Sequence, residues 1–182
     1  AGKLEIYNQY LNGELSRVDF YSMIPQQVLD SVLNYEISDE SLPIIFEKID
    51  VLLGKETLDL IIGGPPCQAY SVAGRSRSDT RMVGDKRNYL YILYAEFLKK
   101  YQPKYFVFEN VLGLLSAKDE DGTLHFDNMR DLFKKNGYST EYHILVASDY
   151  GVLQNRKRII LIGVRGNTRD VYPDILKINN SY

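Results

Sequence analysis

From Leu58 onward the chain alternates short apolar runs with longer amphipathic stretches, and the joints between them carry glycine or proline. Leu58 to Ile62 is an apolar run stopped by Gly63-Gly64, as expected for a buried parallel strand. Leu90, Leu93, Tyr94, Phe97 and Leu98 recur at helical spacing, with Asn88 placed to cap that helix and Pro103 to close it. Tyr105 to Phe108 reads as a second buried strand. Phe126, Met129, Leu132 and Phe133 mark another helix, which Gly137 ends. Tyr142 to Val146 and Arg158 to Val164 are further strands. This βαβ rhythm predicts an α/β fold of the Rossmann-like kind, a mostly parallel sheet with helices on both faces.

The first 57 residues follow a different pattern. Pro25 suits the first turn of a helix carrying Val28, Leu29, Val32 and Leu33, and Pro43 does the same for Phe46, Ile49, Leu52 and Leu53, stopped by Gly54. Lys3 to Val18 is compatible with either a short strand or a helix. The expected organisation is a helical segment or insertion over residues 1–57, an α/β core over 58–166 and a tail over 167–182.

Charge divides the chain in the same place. Residues 1–60 hold four basic side chains against eleven acidic ones, a balance of −7, whereas residues 61–182 carry +5. Two basic clusters stand out: Arg75, Arg77, Arg81, Lys86 and Arg87, and then Arg156-Lys157-Arg158. Such clusters matter for a polyanionic partner when they flank a reactive site. No apolar run approaches the ~20 residues that span a bilayer, so a membrane partner is not expected. A single cysteine excludes an internal disulfide and a cysteine-based zinc site, which makes a reducing cytoplasmic setting the default. His125 and His143 stand apart from any carboxylate cluster at ligand spacing, so no metal is expected and both read as structural or surface residues.

That cysteine, Cys67, follows Gly63-Gly64-Pro65-Pro66. The glycines permit a sharp turn and close approach of a planar ligand, and the prolines set the direction of the chain. The thiol is thereby presented as a nucleophile, with the arginines that follow it as candidates for lowering its pKa. In sheets of this class ligands bind beyond the carboxyl ends of the strands. Cys67 follows one strand and Glu109 the next, so the two converge on one pocket if the strands are neighbours. A carboxyl at the edge of such a strand is expected to be partly desolvated, with a raised pKa, and able to hold a proton.

Gly64-Pro65-Pro66-Cys67-Gln68, Glu109-Asn110-Val111 and Gln154-Asn155-Arg156-Lys157-Arg158 resemble, in order, the PCQ, ENV and QxRxR motifs of the DNA cytosine-C5 methyltransferases. The resemblance runs from about Leu58 to Arg165. It implies that Cys67 adds to C6 of a flipped cytosine, that Glu109 pairs with the N3 and N4 edge, that Arg158 contacts the base oxygen and that Arg156 helps hold the site. It further implies DNA contacts from Gln68 and Ser71 and, in a flap from Val72 to Arg87, from Arg75, Arg77, Arg81 and Arg87. Pro66 and Leu90 would lie at the wall of an S-adenosyl-L-methionine site. The family's glycine-rich cofactor turn, its ribose-binding acid and its target-recognition domain have no counterpart here, so the expected cofactor site is incomplete. The chain then reads as an internal piece of a methyltransferase, inactive alone, with double-stranded DNA and either the remaining segments or a second copy as partners. Cytosine-C5 methylation of transfer RNA, and a non-catalytic binding module, are the alternatives.

Overall fold

The computed structural model describes residues 2–66, 89–119, 121–169 and 171–178. The chain divides into two compact units, Ala1–Gly54 and Lys55–Tyr182.

The first unit is helical: α1 (Gly2–Leu11), α2 (Arg17–Ser22), α3 (Gln26–Asp30) and α4 (Leu42–Leu53). The open choice between strand and helix near the N-terminus is thus settled as helix. Ser16 caps α2 by accepting from the Asp19 amide at 3.1 Å, and the Phe20 ring stacks on Tyr10 with centroids 4.5 Å apart. Pro43 sits in the first turn of α4, and Gly54, at φ 58°, ends it. The helix expected through Leu33 stops at Asp30, where the Ser31 hydroxyl donates back to the Val28 carbonyl. Of its expected apolar face Val28 and Val32 are exposed, Val32 at 75%, while Leu29 and Leu33 are half-buried.

The second unit holds β1 (Leu60–Gly63), α5 (Leu90–Tyr101), β2 (Tyr105–Asn110), a 3-10 turn (Leu112–Ser116), α6 (His125–Lys135), β3 (Tyr138–Val146), a second 3-10 turn (Ala147–Tyr150) and β4 (Lys157–Arg165). Asn88, the expected cap of α5, lies outside the described residues. The strands are ordered β1-β2-β4-β3. β1 pairs with β2 in parallel, while β4 is antiparallel to both β2 and β3. The α/β architecture is therefore as expected, but only one of the three pairings is parallel. The cause is β4: it returns from β3 through residues 147–156 and slots between β3 and β2, pointing against both. β1, β2 and β3 still run the same way, so their carboxyl ends and the amino end of β4 share one edge.

Alternation along the strands separates two faces. Phe106 and Phe108 of β2 and Ile159 and Leu161 of β4 are fully buried beneath α5 and α6, joined there by Tyr94, Leu98, Met129 and Phe133. The rings meet edge to face, Phe106 and Phe133 at 4.9 Å and Tyr94 and Phe108 at 5.3 Å. The Phe106 ring needs Gly163 opposite it: a Cβ there would come within 1.9 Å of the ring. The Tyr94 hydroxyl donates to the Val107 carbonyl at 3.1 Å, and burial raises its pKa far above the ordinary tyrosine range.

Among the described residues both helices of this unit cover that one face, not one face each. On the other face Leu60 and Ile62 of β1 are exposed, so β1 is half-buried and not the fully buried strand its composition suggested.

Candidate active site

The register of the sheet builds the site on the face opposite the aromatic core. Glu109 stands across from Ile160, and Arg158, two residues earlier on β4, projects to the same face. Diagonal neighbours of this kind lie within reach of long side chains. The two meet accordingly, with Arg158 Nε 2.7 Å from Glu109 Oε1. Arg158 also donates from Nη1 to the Lys157 carbonyl at 2.8 Å, which fixes the guanidinium plane.

β1 brings the third component. Gly63 pairs with Phe108, so the next residue, Gly64, falls beside Glu109. A Cβ on Gly64 would sit 2.9 Å from Glu109 Oε2. A side chain at this position would therefore displace the carboxylate, while the backbone conformation of Gly64 places no demand of its own.

Asn110 ties the turn down. Alternation turns it inward with Phe106 and Phe108, and it is 1% exposed. Its Nδ2 donates to the Pro65 carbonyl at 3.2 Å, and its Oδ1 accepts from the Val111 amide at 2.9 Å. This residue belongs to the ENV tripeptide but had no role in the sequence reading. Its inward position on an alternating strand was the available signal.

Of the residues singled out from sequence, Glu109 and Arg158 are brought together. Pro66 is exposed on the chain leaving β1, Leu90 is partly buried at the start of α5, and Arg156 is exposed just before β4. Cys67, Gln68, Ser71, Arg75, Arg77, Arg81 and Arg87 lie outside the described residues. The Glu109 side chain keeps 41% of its exposure, so the carboxyl is partly withdrawn from solvent at the carboxyl end of β2. His125, taken for a structural or surface residue, is 1% exposed. Burial holds its pKa below the ordinary value, against the opposing pull of Asp119, a hydrogen bond with the Lys118 backbone, and Asp121. Among the described residues no group of three or more potential ligands could hold a metal, and no helix is long and apolar enough to cross a membrane.

A carboxylate clamped to a guanidinium beside a glycine turn can present a donor and acceptor edge to a planar heterocycle. Comparison with known proteins identifies the family. The type II methyltransferase M.Bpa9945I of Bacillus paralicheniformis is 33% identical over 94% of this chain and 44% of its own length. M.XorII of Xanthomonas oryzae pv. oryzae, also a type II methyltransferase, is 40% identical over 67% of this chain and 28% of its own. The chain thus spans less than half the length of these relatives. The fold is similar to that of the Entamoeba histolytica methyltransferase EhMeth, with a TM-score of 0.57 at 20% identity over 82% of this chain and 42% of that one. The profile of the C-5 cytosine-specific DNA methylases matches residues 33–181, beyond the stretch that carries the three motifs, and the chain belongs to that family.

Proposed function

We propose that this chain carries the catalytic edge of an enzyme that methylates C5 of cytosine in double-stranded DNA. The observation that supports this reading best is the 2.7 Å pair of Glu109 and Arg158, set against the Gly64-Pro65 turn that leads into Cys67. The target cytosine must leave the helical stack to be reached, at a cost of a few kcal/mol.

Attack by the Cys67 thiolate forms a bond from sulfur to C6 and pushes electron density toward C5 and N3. Glu109 pairs with the N3 and N4 edge of the base, accepts from the N4 amino group, and assists protonation at N3 as negative charge develops on the ring. Arg158 orients Glu109 through Nε and offers its guanidinium to the base oxygen. S-adenosyl-L-methionine, when bound, supplies an electrophilic methyl group. After C5 has taken the methyl, leaving S-adenosylhomocysteine, a solvent water accepts the C5 proton, the C5–C6 double bond re-forms as the bond from sulfur to C6 breaks, and the Cys67 thiolate is returned. Pro66 and Leu90 fit the apolar wall of that cofactor, but neither side chain has a polar atom. Its charged ends need polar partners other than these two residues.

Arg156 supports the loop before β4 that positions Arg158. Gln68, Ser71, Arg75, Arg77, Arg81 and Arg87 contact the extruded nucleotide and the phosphates, where cationic side chains supply most of the affinity. With DNA as substrate and a lone thiol, the cytoplasm is the expected compartment.

The test is to incubate the full-length protein with duplex DNA and S-adenosyl-L-methionine and to digest the DNA to nucleosides for mass spectrometry. The reading predicts 5-methylcytosine, abolished by Cys67→Ser and by Glu109→Gln. Methylation at N4 of cytosine or on adenine, or none at all, would overturn it.

A further inference from the structure

The connection from β3 to β4, residues 147–156, lies on the same edge of the sheet as Glu109 and Arg158. Gly151 to Lys157 are all exposed there, and among them stand two apolar side chains, Val152 at 51% and Leu153 at 103%. A lone exposed leucine on a loose loop needs no explanation. This one stands on a turn that is held at several points. The Ala147 amide donates to the Arg156 carbonyl at 2.9 Å and closes the base of the turn, while Gly151 bends it in the left-handed region at φ 81°. From the tail, the Ile178 amide donates to the Asp149 carbonyl at 2.9 Å, and Lys177 Nζ meets Asp149 Oδ2 at 2.6 Å.

Charge singles out the occupant. Asp149 is the only acid from Ala147 to Arg169, and Lys177 neutralises it; the same stretch carries Arg156, Lys157, Arg158, Arg165 and Arg169. An apolar tip flanked by cations suits a polyanion with an apolar interior, and duplex DNA is one, with phosphates outside and stacked bases within. The chain from Leu153 to Arg158 can span at most about 18 Å, so DNA whose cytosine reaches Arg158 passes Leu153 within about five base-pair steps.

We propose that Leu153 is an apolar wedge: it enters the base stack beside the target cytosine and fills space that the extruded base leaves, which offsets part of the cost of extrusion. This rests on the function proposed above. Leu153 takes no part in the chemistry, and the exposed Arg156 and Lys157 supply charge for the adjoining phosphates.

The experiment compares Leu153→Ala and Leu153→Met with wild type in the full-length protein, on two duplexes of the methylated sequence, mapped first by bisulfite sequencing. In one duplex the 5-fluorocytosine is paired with guanine; in the other it is mispaired with adenine and leaves the stack at little cost. Leu153→Ala should capture the paired duplex about five- to tenfold more slowly than wild type, the scale of one lost stacking contact. On the mispaired duplex the two proteins should agree within about twofold, because the step that the wedge assists is already easy. Leu153→Met, which keeps an apolar side chain of similar length, should restore capture on the paired duplex. No loss in Leu153→Ala, or the same loss on both duplexes, would overturn the wedge. So would a fall of more than about 5 °C in its melting midpoint, which would place Leu153 under another part of the protein. If the wild-type protein does not methylate DNA, the function proposed above fails first. The wedge is then judged by gel-shift titration on a duplex with a single adenine–cytosine mispair and on its fully paired counterpart. Tighter binding to the mispair that is lost in Leu153→Ala supports it, and the same preference in both proteins, or none in wild type, overturns it.

Discussion

Replacing Gly64 by alanine separates catalysis from folding. The added Cβ would lie 2.9 Å from Glu109 Oε2 and 3.4 Å from the Glu109 carbonyl. Ordinary contact requires at least about 3.4 Å, so the carboxylate must retreat by roughly half an ångström, while its other oxygen is already at 2.7 Å from Arg158 and cannot move closer. The carboxylate therefore rotates away from the position it would hold against a bound base. A displacement approaching 1 Å at a reacting group costs on the order of 10²-fold in rate, so a loss of about 10- to 100-fold is expected. Stability should barely respond. Gly64 is exposed and has ordinary backbone geometry, so the thermal midpoint should stay within about 3 °C of wild type, the range of a change below 1 kcal/mol. The assay is the single-turnover rate of covalent capture on duplex DNA containing 5-fluorocytosine, read beside a melting curve. A Gly64→Ala protein that captures at the wild-type rate would refute the claim that the carboxylate sits where it must act. One that fails to fold would refute the claim that only the site is crowded.

Other perturbations test separate parts of the account. Arg158→Ala should lower capture by about 10²- to 10³-fold, the scale of losing a preorganised charge partner, with little change in melting because the freed Glu109 is already partly solvated. Asn110→Ala leaves the Pro65 carbonyl without its donor and should cost about 1–3 kcal/mol in denaturant titration. Gly163→Ala drives a Cβ into the buried Phe106 ring and should lower stability by about 1–3 kcal/mol or more, visible in the same titration. His125 is held neutral by burial, so the unfolded chain binds more protons than the folded one once the pH falls below about 6.5. Stability should therefore drop between pH 7.5 and 5.5, and His125→Phe should flatten that drop; an identical slope in the variant would contradict it.

The elements that could be read locally were read well. Tyr105 to Phe108 is uninterrupted and apolar, and it forms the body of β2; the spacing of Leu90, Tyr94 and Leu98 marks α5; Gly54 and Pro43 bound α4. Glu109 could be placed because it ends a strand on the edge where ligands gather, whereas Arg158 was marked only by the resemblance of the QxRxR motif. What was not legible was set by partners distant in sequence. Nothing near Arg158 says that β4 enters the sheet against β2, and that antiparallel register is what puts its guanidinium diagonal to Glu109. His125, with Thr123 and Asp127 two residues to either side, looks like a surface residue until α6 is docked on the sheet. Asn110 looks polar and therefore external, whereas strand alternation turns it inward to hold Pro65. The short α3 shows the converse case, in which an apolar pattern without a packing surface did not extend the helix.

The most direct test of the account is to trap the full-length protein on duplex DNA carrying 5-fluorocytosine in the presence of S-adenosyl-L-methionine, digest the complex, and locate the modified peptide by mass spectrometry. The account predicts a methylated, fluorinated cytosine bonded through C6 to Cys67, with the adduct lost in Cys67→Ser. An adduct on any other residue, or capture that survives that substitution, would contradict it.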